Sequence, residues 1–234
     1  MEKFIDKNKK IEIIFKSQDF LIINKPANLL VHKTEKSFEP TLVDFLLKSY
    51  PEIKDVGENP LRAGIVHRLD KEVSGLMIIP LNQNAFNHFK NEFKNRKVEK
   101  EYLALVHNQV KKEGIITLPL VKDKGKILLA KSIDLEKIKE SWTEYKVVKI
   151  FKDFTLLKIK TKTGRTHQIR IHLKSIGHPI VGDKKYKIKR QKIIDLGRIF
   201  LHAYKLGFYD LNNHWQEFQI DLPKELKDFL TQLE

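Results

Sequence analysis

A cluster of polar side chains lies between two apolar segments and includes the residue types needed for nucleophilic or acid–base chemistry. Residues 63–79 contain His67, Arg68, Asp70, Lys71 and Ser74. Because neighbouring positive charge favours an ionised carboxylate, Asp70 could serve as a nucleophile or a general base. The same residues could form only a capped turn, with Asp70 bonded to backbone N–H groups and Gly75 at a positive φ. The spacing alone favours the capped turn.

A second polar segment, residues 163–172, contains a side chain suited to bind an anion. Arg165 lies in a predicted loop that Gly164 permits, and its planar guanidinium can meet a carboxylate or a phosphate. Arg170 and Lys174 are four residues apart, so we expect them to share a helical face that could follow a nucleic-acid backbone. A solvated basic face is an equally good interpretation of these two residues.

Hydrophobic periodicity predicts the elements that must hold the first cluster. Residues 11–26 form a hairpin around the turn 16–19, because two β-branched and aromatic runs flank that turn. Thr41 caps a short helix that ends before Pro51. Residues 75–79 form a buried strand. Asn82 then caps a helix whose three phenylalanines are predicted to face the core: Phe86, Phe89 and Phe93.

The second half of the chain is rich in predicted strands. Four of them cover residues 102–106, 114–120, 141–151 and 154–162. A helix over residues 167–175 ends at Gly177, and it is entered through a tight turn at residues 163–164. A strand over residues 200–208 and a helix over residues 222–233 follow. Without a regular βαβ alternation, this order predicts an α+β fold with a mainly antiparallel sheet.

The charge of the chain is strongly positive and unevenly distributed. Lys and Arg number 45 against 30 Asp and Glu, a formal net charge of +15. Between residues 154 and 192 there are twelve basic residues and one acidic residue, Asp183. A lysine-rich solvated surface would explain the total, but the segregation favours binding to a polyanion such as nucleic acid.

Composition also excludes several classes of protein. The sequence contains no cysteine, so disulfides, thiol nucleophiles and thiolate metal sites are ruled out. The longest apolar run, residues 75–81, is much shorter than the about 18 residues that a membrane-spanning helix needs. The first ten residues lack the apolar core of a signal peptide. We therefore expect a cytoplasmic protein.

Six segments in order resemble the motifs of the RluA-type pseudouridine synthases. They are Ile23-Asn24-Lys25-Pro26-Ala27 with Val31-His32; His67-Arg68-Leu69-Asp70-Lys71 with Ser74-Gly75; Lys100-Glu101-Tyr102-Leu103-Ala104; residues 163–170; residues 177–183; and Leu201-His202-Ala203. The resemblance covers about residues 11–222. It implies the pseudouridine synthase fold, with helices and loops around a central catalytic cleft.

The resemblance implies that the chain isomerises uridine within RNA to pseudouridine, without cofactor or metal. Asp70 matches the catalytic aspartate of the family, and an ionised carboxylate suits a sugar that becomes cation-like when the glycosidic bond breaks. Tyr102 matches the active-site tyrosine, which can stack on the target base and assist proton transfer. Arg165 matches the arginine that pairs with the aspartate. Whether Asp70 attacks the sugar, attacks the base or removes a sugar proton stays open.

Further substrate-binding residues follow from the same resemblance. Arg68 matches an arginine that fills the space left when the target base is extruded, although pairing with phosphate would explain it as well. His67 belongs to the same motif and is grouped with the substrate-binding residues. Leu201 is expected to line the uracil pocket, or only to pack in the core. Three lysines, which accompany Tyr186, are predicted to contact RNA phosphates with Arg170 and Lys174: Lys184, Lys185 and Lys187.

We expect one catalytic domain over residues 1–234, with no separate N-terminal RNA-binding domain and no nucleotide-binding motif. A monomer that binds RNA through the catalytic domain itself is the simplest arrangement. Ribosomal and transfer RNA are both open as substrates. Two other classes stay as alternatives. One is a metal-dependent nuclease or phosphoesterase using Asp70 with His167 and His172, and the other is an RNA-binding or assembly factor of the same fold without activity.

Overall fold

A computed structural model of the chain describes residues 3–6, 9–33, 38–123, 126–129, 139–188 and 194–234. The chain divides into two compact units. The first comprises Met1–Val98 and Lys205–Ile220, and the second comprises Glu99–Tyr204 and Asp221–Glu234. The prediction of a single domain stays a prediction. No helix in the described part of the chain is long and apolar enough to cross a membrane.

The first unit is built on antiparallel strands with two helices. Its sheet runs in the order β1, β2, β3, β4, with the bounds Lys3–Asp6, Lys9–Lys16, Phe20–Lys25 and Ser74–Pro80. Strand β12 (Trp215–Gln219) pairs antiparallel with residues 205–209 of strand β11 (Leu201–Tyr209). The helices are α1 (Leu42–Ser49) and α2 (Gln83–Lys94), and 3₁₀ turns cover Pro51–Asp55 and Pro60–Arg62.

The capping residues of the first unit confirm the helix starts predicted from the sequence. Thr41 forms a capping box with Asp44: the Thr41 N–H donates to the Asp44 carboxylate at 2.9 Å, and the Asp44 N–H donates to the Thr41 hydroxyl at 3.4 Å. The Asn82 side chain accepts from the Ala85 N–H at 2.9 Å. In the core, the Phe89 ring meets those of Phe20 and Phe208 edge to face. Both helices therefore start at the predicted residue.

A close approach at Gly207 was not apparent from the sequence. Strand β12 lies beside β11, and a Cβ on Gly207 would come within 2.5 Å of the Trp215 ring. Only glycine leaves room for the indole at this position. Strand β12 itself was not predicted, because its side chains are half-buried or exposed and lack a strong apolar pattern.

The second unit carries its own antiparallel sheet. The strand order is β5, β10, β9, β6, with the bounds Glu99–His107, Phe154–Thr161, Thr143–Ile150 and Gly114–Ile116. A separate hairpin joins β7 (Leu120–Asp123) and β8 (Lys126–Leu129), and the helices are α3 (Gln168–Ser175) and α4 (Lys224–Thr231). These strands and helices confirm the predicted α+β class.

Two local predictions for the second unit were wrong. The single strand expected over residues 114–120 is divided between β6 and β7, with Pro119, which has no N–H to donate, lying between them. The turn before α3 does not depend on Gly164, where an added Cβ would meet nothing within 4 Å. The left-handed residue is His167, with φ 55° and ψ 20°.

Candidate active site

The segment that carries Asp70 is fixed to strand β4 by His67. The Ile78 N–H donates to His67 Nε2 at 3.0 Å, and the His67 ring stacks on Phe93 with centroids 4.5 Å apart. The sequence grouped His67 with residues that bind substrate. In the structure, His67 contacts Ile78 and Phe93 of the first unit. These contacts orient the segment that leads to Asp70.

Asp70 is half-buried and lies in a tight turn before β4. Its carbonyl accepts from the Val73 N–H at 3.1 Å, and Gly75 has the predicted positive φ, +127°. The two flanking cations have other contacts as well. Lys71 forms an ion pair with Glu39 at 2.6 Å, and Arg68 Nη1 lies 3.4 Å from His32 Nε2. The side chains of Arg68 and Lys71, on either side of Asp70, are thus each in contact with another part of the first unit.

A buried lysine, which lies in the first motif but was given no role from the sequence, ties this turn to the loop after β3. Lys25 is fully buried, and its ammonium donates to the carbonyls of Pro26 at 2.8 Å, Leu29 at 2.9 Å and Lys71 at 3.3 Å. A buried ammonium is tolerated only where such acceptors replace water. The sequence signal was a lone lysine at the end of an apolar strand.

Tyr102 lies in the middle of strand β5 in the second unit. It is half-buried and stands opposite Ile159 of β10. Because side chains alternate along a strand, Lys100 and Ala104 share its face of the sheet. Burial lowers the pKa of Lys100 to about 8. Tyr102 therefore shares its face of the sheet with a lysine whose charged form is disfavoured by burial.

Arg165 is held in the loop between β10 and α3 by Gln168. The buried Gln168 amide oxygen accepts from the Arg165 N–H at 3.1 Å and from the Thr163 hydroxyl at 2.7 Å. Its amide nitrogen donates to the Trp142 carbonyl and to the Thr143 hydroxyl, both at 2.9 Å. Sequence reasoning missed this role, although Gln168 lies inside a recognised motif.

The Arg165 side chain is itself anchored by one nitrogen. Its Nε donates to the Glu140 carbonyl at 3.0 Å. This bond directs the planar guanidinium and leaves its two terminal nitrogens as the groups that can meet a carboxylate or a phosphate. The anion-binding role of Arg165 stays a prediction.

The prediction that Arg170 follows an RNA backbone was wrong. Its side chain is only 3% exposed and forms a bidentate ion pair with Asp183, with Nε to Oδ2 at 2.8 Å and Nη2 to Oδ1 at 3.0 Å. Helix α3 is buried over most of its surface, so Arg170 and Lys174 do not share a solvent-exposed face. Lys174 is exposed, whereas Leu201 is buried at the start of β11.

The two histidines of the metal-dependent alternative are bonded to protein groups. His167 Nδ1 lies 2.7 Å from the Tyr186 hydroxyl. His172 is fully buried, with Nδ1 2.9 Å from the Thr143 hydroxyl and Nε2 2.9 Å from the Leu118 carbonyl. Among the described residues, no group of three or more His, Asp or Glu side chains is arranged to hold a metal ion.

The predicted basic segment presents exposed lysines around one buried ring. Lys184 pairs with Asp195 at 2.9 Å, and Lys185 Nζ lies 5.5 Å from the centroid of Tyr186. Lys187 is exposed. The rest of the segment, residues 189–192, lies outside the described residues.

Comparison with known proteins defines the class. Residues 19–175 match the family described as RNA pseudouridylate synthase. An uncharacterized RNA pseudouridine synthase of Aquifex aeolicus is 38% identical and covers 97% of this chain, and the alignment spans 74% of that protein. The ribosomal large subunit pseudouridine synthase D of Buchnera aphidicola is 36% identical, over 98% of this chain and 75% of that protein.

Solved structures agree with these sequence matches. The human RNA pseudouridylate synthase domain containing 4 superposes with a TM-score of 0.75 at 25% identity, covering 95% of this chain and 92% of that one. The fold and the motifs thus define an isomerase that acts on RNA. The chain belongs to the RNA pseudouridylate synthase family.

Removal of the Gln168 amide is expected to lower the stability of the second unit and the activity of the enzyme. Gln168→Leu leaves the Arg165 N–H and the Trp142 carbonyl without this partner, so we expect the free energy of unfolding to fall by about 2–4 kcal/mol. Urea denaturation followed by tryptophan fluorescence measures the loss. The matched control is Gln109→Leu, an exposed glutamine that donates to two carbonyls at 3.2 and 3.3 Å. An equal loss in both variants would contradict the role of Gln168.

Proposed function

We propose that this chain converts one or a few uridines of large-subunit ribosomal RNA to pseudouridine, with Asp70 as the catalytic residue. The type of reaction is inferred from the family to which the chain belongs. The choice of RNA is supported by several relatives named ribosomal large subunit pseudouridine synthase D, among them those of Buchnera aphidicola and Borreliella burgdorferi. The observation that carries the proposal is the Asp70 turn within a chain that matches these relatives over nearly its whole length.

The reaction is an isomerisation, so it needs no net reactant besides the RNA. The bond between N1 of uracil and C1′ of ribose breaks, the detached ring turns, and C5 bonds to C1′. The proton on C5 leaves and N1 gains one, so the atoms balance. Asp70 attacks the sugar, attacks the ring or removes a sugar proton, the three roles open to a carboxylate at a glycosidic centre.

Tyr102 and Arg165 are proposed to complete the catalytic set. The Tyr102 ring stacks on the target uracil, and its hydroxyl assists the proton transfer at C5. Arg165 is proposed to pair with the Asp70 carboxylate and to orient it. The anchoring of Arg165 by Gln168 and by the Glu140 carbonyl supports this assignment, because a fixed guanidinium loses less freedom on pairing.

Extrusion of the target uridine is assigned to Arg68. Its side chain is exposed, as it must be to reach RNA. Unstacking a base costs a few kcal/mol, and a guanidinium in the vacated space recovers part of that free energy. Leu201 is proposed to contact the uracil ring, and His67 to hold the Arg68 segment rather than the RNA.

The exposed lysines are proposed to bind the RNA backbone. Replacement of Lys184, Lys185 and Lys187 by Glu should weaken RNA binding and reduce the slope of log Kd against log salt by about two to three, since each phosphate contact contributes about 0.7–0.9. Filter binding at several salt concentrations measures both. Lys224→Glu, Lys227→Glu and Lys90→Glu, at exposed positions elsewhere, form the control. An equal effect of the two triple variants would contradict a localised RNA-binding surface.

The remaining assignments concern partners and location. We propose that the enzyme acts as a monomer, uses no nucleotide cofactor and works in the cytoplasm, where ribosomal RNA is made and modified. The basic residues of one chain can bind a single RNA without a second subunit.

Incubation of the purified protein with unmodified RNA tests the proposal. Transcripts of the large and small ribosomal RNAs and a pool of transfer RNA transcripts are each treated and then mapped for pseudouridine. We expect conversion of one or a few uridines in the large-subunit RNA alone. Conversion confined to transfer RNA would overturn the choice of substrate, and conversion in none of the RNAs would overturn the proposed function.

A further inference from the structure

His32 lies in the loop after β3, beside the first turn of helix α1. The backbone just before His32 is bonded to that helix twice: the Leu42 N–H donates to the Leu30 carbonyl at 2.7 Å, and the Val43 N–H donates to the Val31 carbonyl at 3.1 Å. Lys33 then pairs with Asp44 at 2.9 Å. The imidazole between these anchors is only 3% exposed. Its place in the first unit is therefore set by the fold.

The polar contact of this ring is with Arg68. His32 Nε2 lies 3.4 Å from Arg68 Nη1. A guanidinium only donates, so Nε2 must accept and the ring must be neutral, with its proton on Nδ1. Burial, the charge of Arg68 and the charge of Arg62 together lower the pKa of His32 to about 4. The ring consequently stays an acceptor for Arg68 throughout the neutral range.

The other ring nitrogen identifies His32 as more than a packing residue. Within the described part of the chain, His32 Nδ1 is buried without a hydrogen-bond partner. An unsatisfied buried polar group destabilises the fold, and an apolar ring of similar shape would avoid this. Because His32 is present although its buried Nδ1 destabilises the fold, we look for a function of the imidazole.

Arg68 is the side chain that benefits from such an anchor. It is exposed, and an unrestrained arginine loses rotamer entropy when it is immobilised. A bond at one terminal nitrogen reduces that loss before RNA binds and leaves the other N–H groups to face a base or a phosphate.

We propose that His32 is a positioning residue that holds Arg68 ready to take the place of the extruded uridine. This inference rests on the proposed function, in which Arg68 fills the space left by the target base. It assigns His32 to extrusion of the base and not to the bond-breaking chemistry. The effect of His32 should therefore depend on whether the RNA presents the target uridine stacked or already unpaired.

Two synthetic RNAs test the inference, both taken from the region around a uridine that the wild-type protein converts. In one RNA the target uridine is paired within a stem, and in the other the facing strand is omitted. The variants are His32→Phe, which keeps a ring without an acceptor, Arg68→Ala, the double variant, and His32→Gln, which restores an acceptor. Single-turnover conversion is measured on both RNAs, and 2-aminopurine beside the target reports unstacking.

On the paired RNA, His32→Phe and Arg68→Ala should each slow unstacking and conversion by about tenfold to a hundredfold, in line with the free energy of base extrusion. The double variant should be no slower than Arg68→Ala, because both changes remove one interaction. On the unpaired RNA His32→Phe and His32→Gln should stay within about threefold of wild type, and on the paired RNA His32→Gln should recover most of the rate.

A structural role alone would give a different pattern. The control variant Phe89→Leu weakens the core of the same unit, and any loss it shows should be equal on the two RNAs. Losses of His32→Phe that are equal on both RNAs, additive with Arg68→Ala, or absent on the paired RNA would each overturn the inference. If the wild-type protein converts neither RNA nor any ribosomal transcript, the proposed function fails instead.

Discussion

Replacement of Asp70 by Asn is expected to abolish pseudouridine formation while RNA binding is retained. Asparagine has the shape of aspartate but no negative charge, so it can neither stabilise a cation-like sugar nor act as a nucleophile or base. We expect the single-turnover rate to fall by about 10³-fold or more, as for other essential catalytic carboxylates. Release of tritium from C5-labelled uridine in RNA measures the rate, and filter binding measures the affinity.

An exposed acid of the same unit provides the control for this prediction. Asp55→Asn lies in the 3₁₀ turn Pro51–Asp55 and makes the same chemical change away from the Asp70 turn. Its rate should match that of the wild type. A rate for Asp70→Asn within tenfold of wild type would remove Asp70 from the catalytic step, whereas equal losses in binding and rate would assign it to substrate binding.

Disruption of the buried Arg170–Asp183 pair is expected to produce the largest loss of stability. Arg170→Met leaves the Asp183 carboxylate buried with only the backbone N–H groups of Lys185 and Tyr186, at 2.9 and 3.0 Å, as described partners. Removing one partner of such a pair costs about 3–5 kcal/mol. Urea denaturation, followed by the fluorescence of Trp142 in the second unit, measures the change in the free energy of unfolding.

Two comparisons separate the ion pair from general packing. The double variant Arg170→Met, Asp183→Leu should lose less than the sum of the single variants, because it leaves no unpaired buried charge. Lys224→Met breaks an exposed pair with Asp228 at 2.6 Å and should show no measurable change. Additive losses in the double variant would contradict the account of the pair.

The same pair gives a defined dependence on pH. Burial by itself would raise the pKa of Asp183, but the hydrogen bonds and charge of Arg170, with two backbone N–H groups, outweigh it and hold the pKa below the ordinary 3.8. A carboxyl with a lowered folded-state pKa stabilises the fold fully above its unfolded value and loses that contribution as pH falls. The stability gap between wild type and Asp183→Asn should therefore narrow below about pH 4.

Local features of the sequence predicted much of the fold. The Thr41 capping box and the Asn82 cap each join residues three positions apart, so their partners can be recognised in the sequence itself. The burial of Phe86 and Phe89 follows from helical spacing, which is also a local property. Strand pairing was predicted where apolar runs flank a short turn, as in β2 and β3.

The errors arose where the partner of a residue is distant in the sequence. Arg170 was expected at the surface because its sequence neighbours do not include Asp183, thirteen positions away. The buried role of Lys25 depends on the Lys71 carbonyl, which lies 46 positions further on. The turn before α3 was assigned to Gly164, but tertiary bonds such as that between His167 and Tyr186 support a left-handed conformation at His167.

In the candidate site, too, some residues could be predicted from the sequence, whereas contacts between distant residues could not. Asp70, Tyr102 and Arg165 were selected through their motifs, because the residue types and their order carry the resemblance. The residues that position them, such as Gln168 for Arg165 and Lys25 for the Asp70 turn, act through buried hydrogen bonds that no sequence pattern reports. Such positioning contacts become visible only in three dimensions.

A map of pseudouridine in cells that lack this protein tests the central claim most directly. The deletion strain is complemented with the wild-type gene or with Asp70→Asn, and ribosomal and transfer RNA are mapped in each. We predict that one or a few large-subunit sites disappear, that the wild type restores them, and that Asp70→Asn does not. Restoration of those sites by Asp70→Asn to the wild-type level would contradict the claim that Asp70 catalyses the isomerisation.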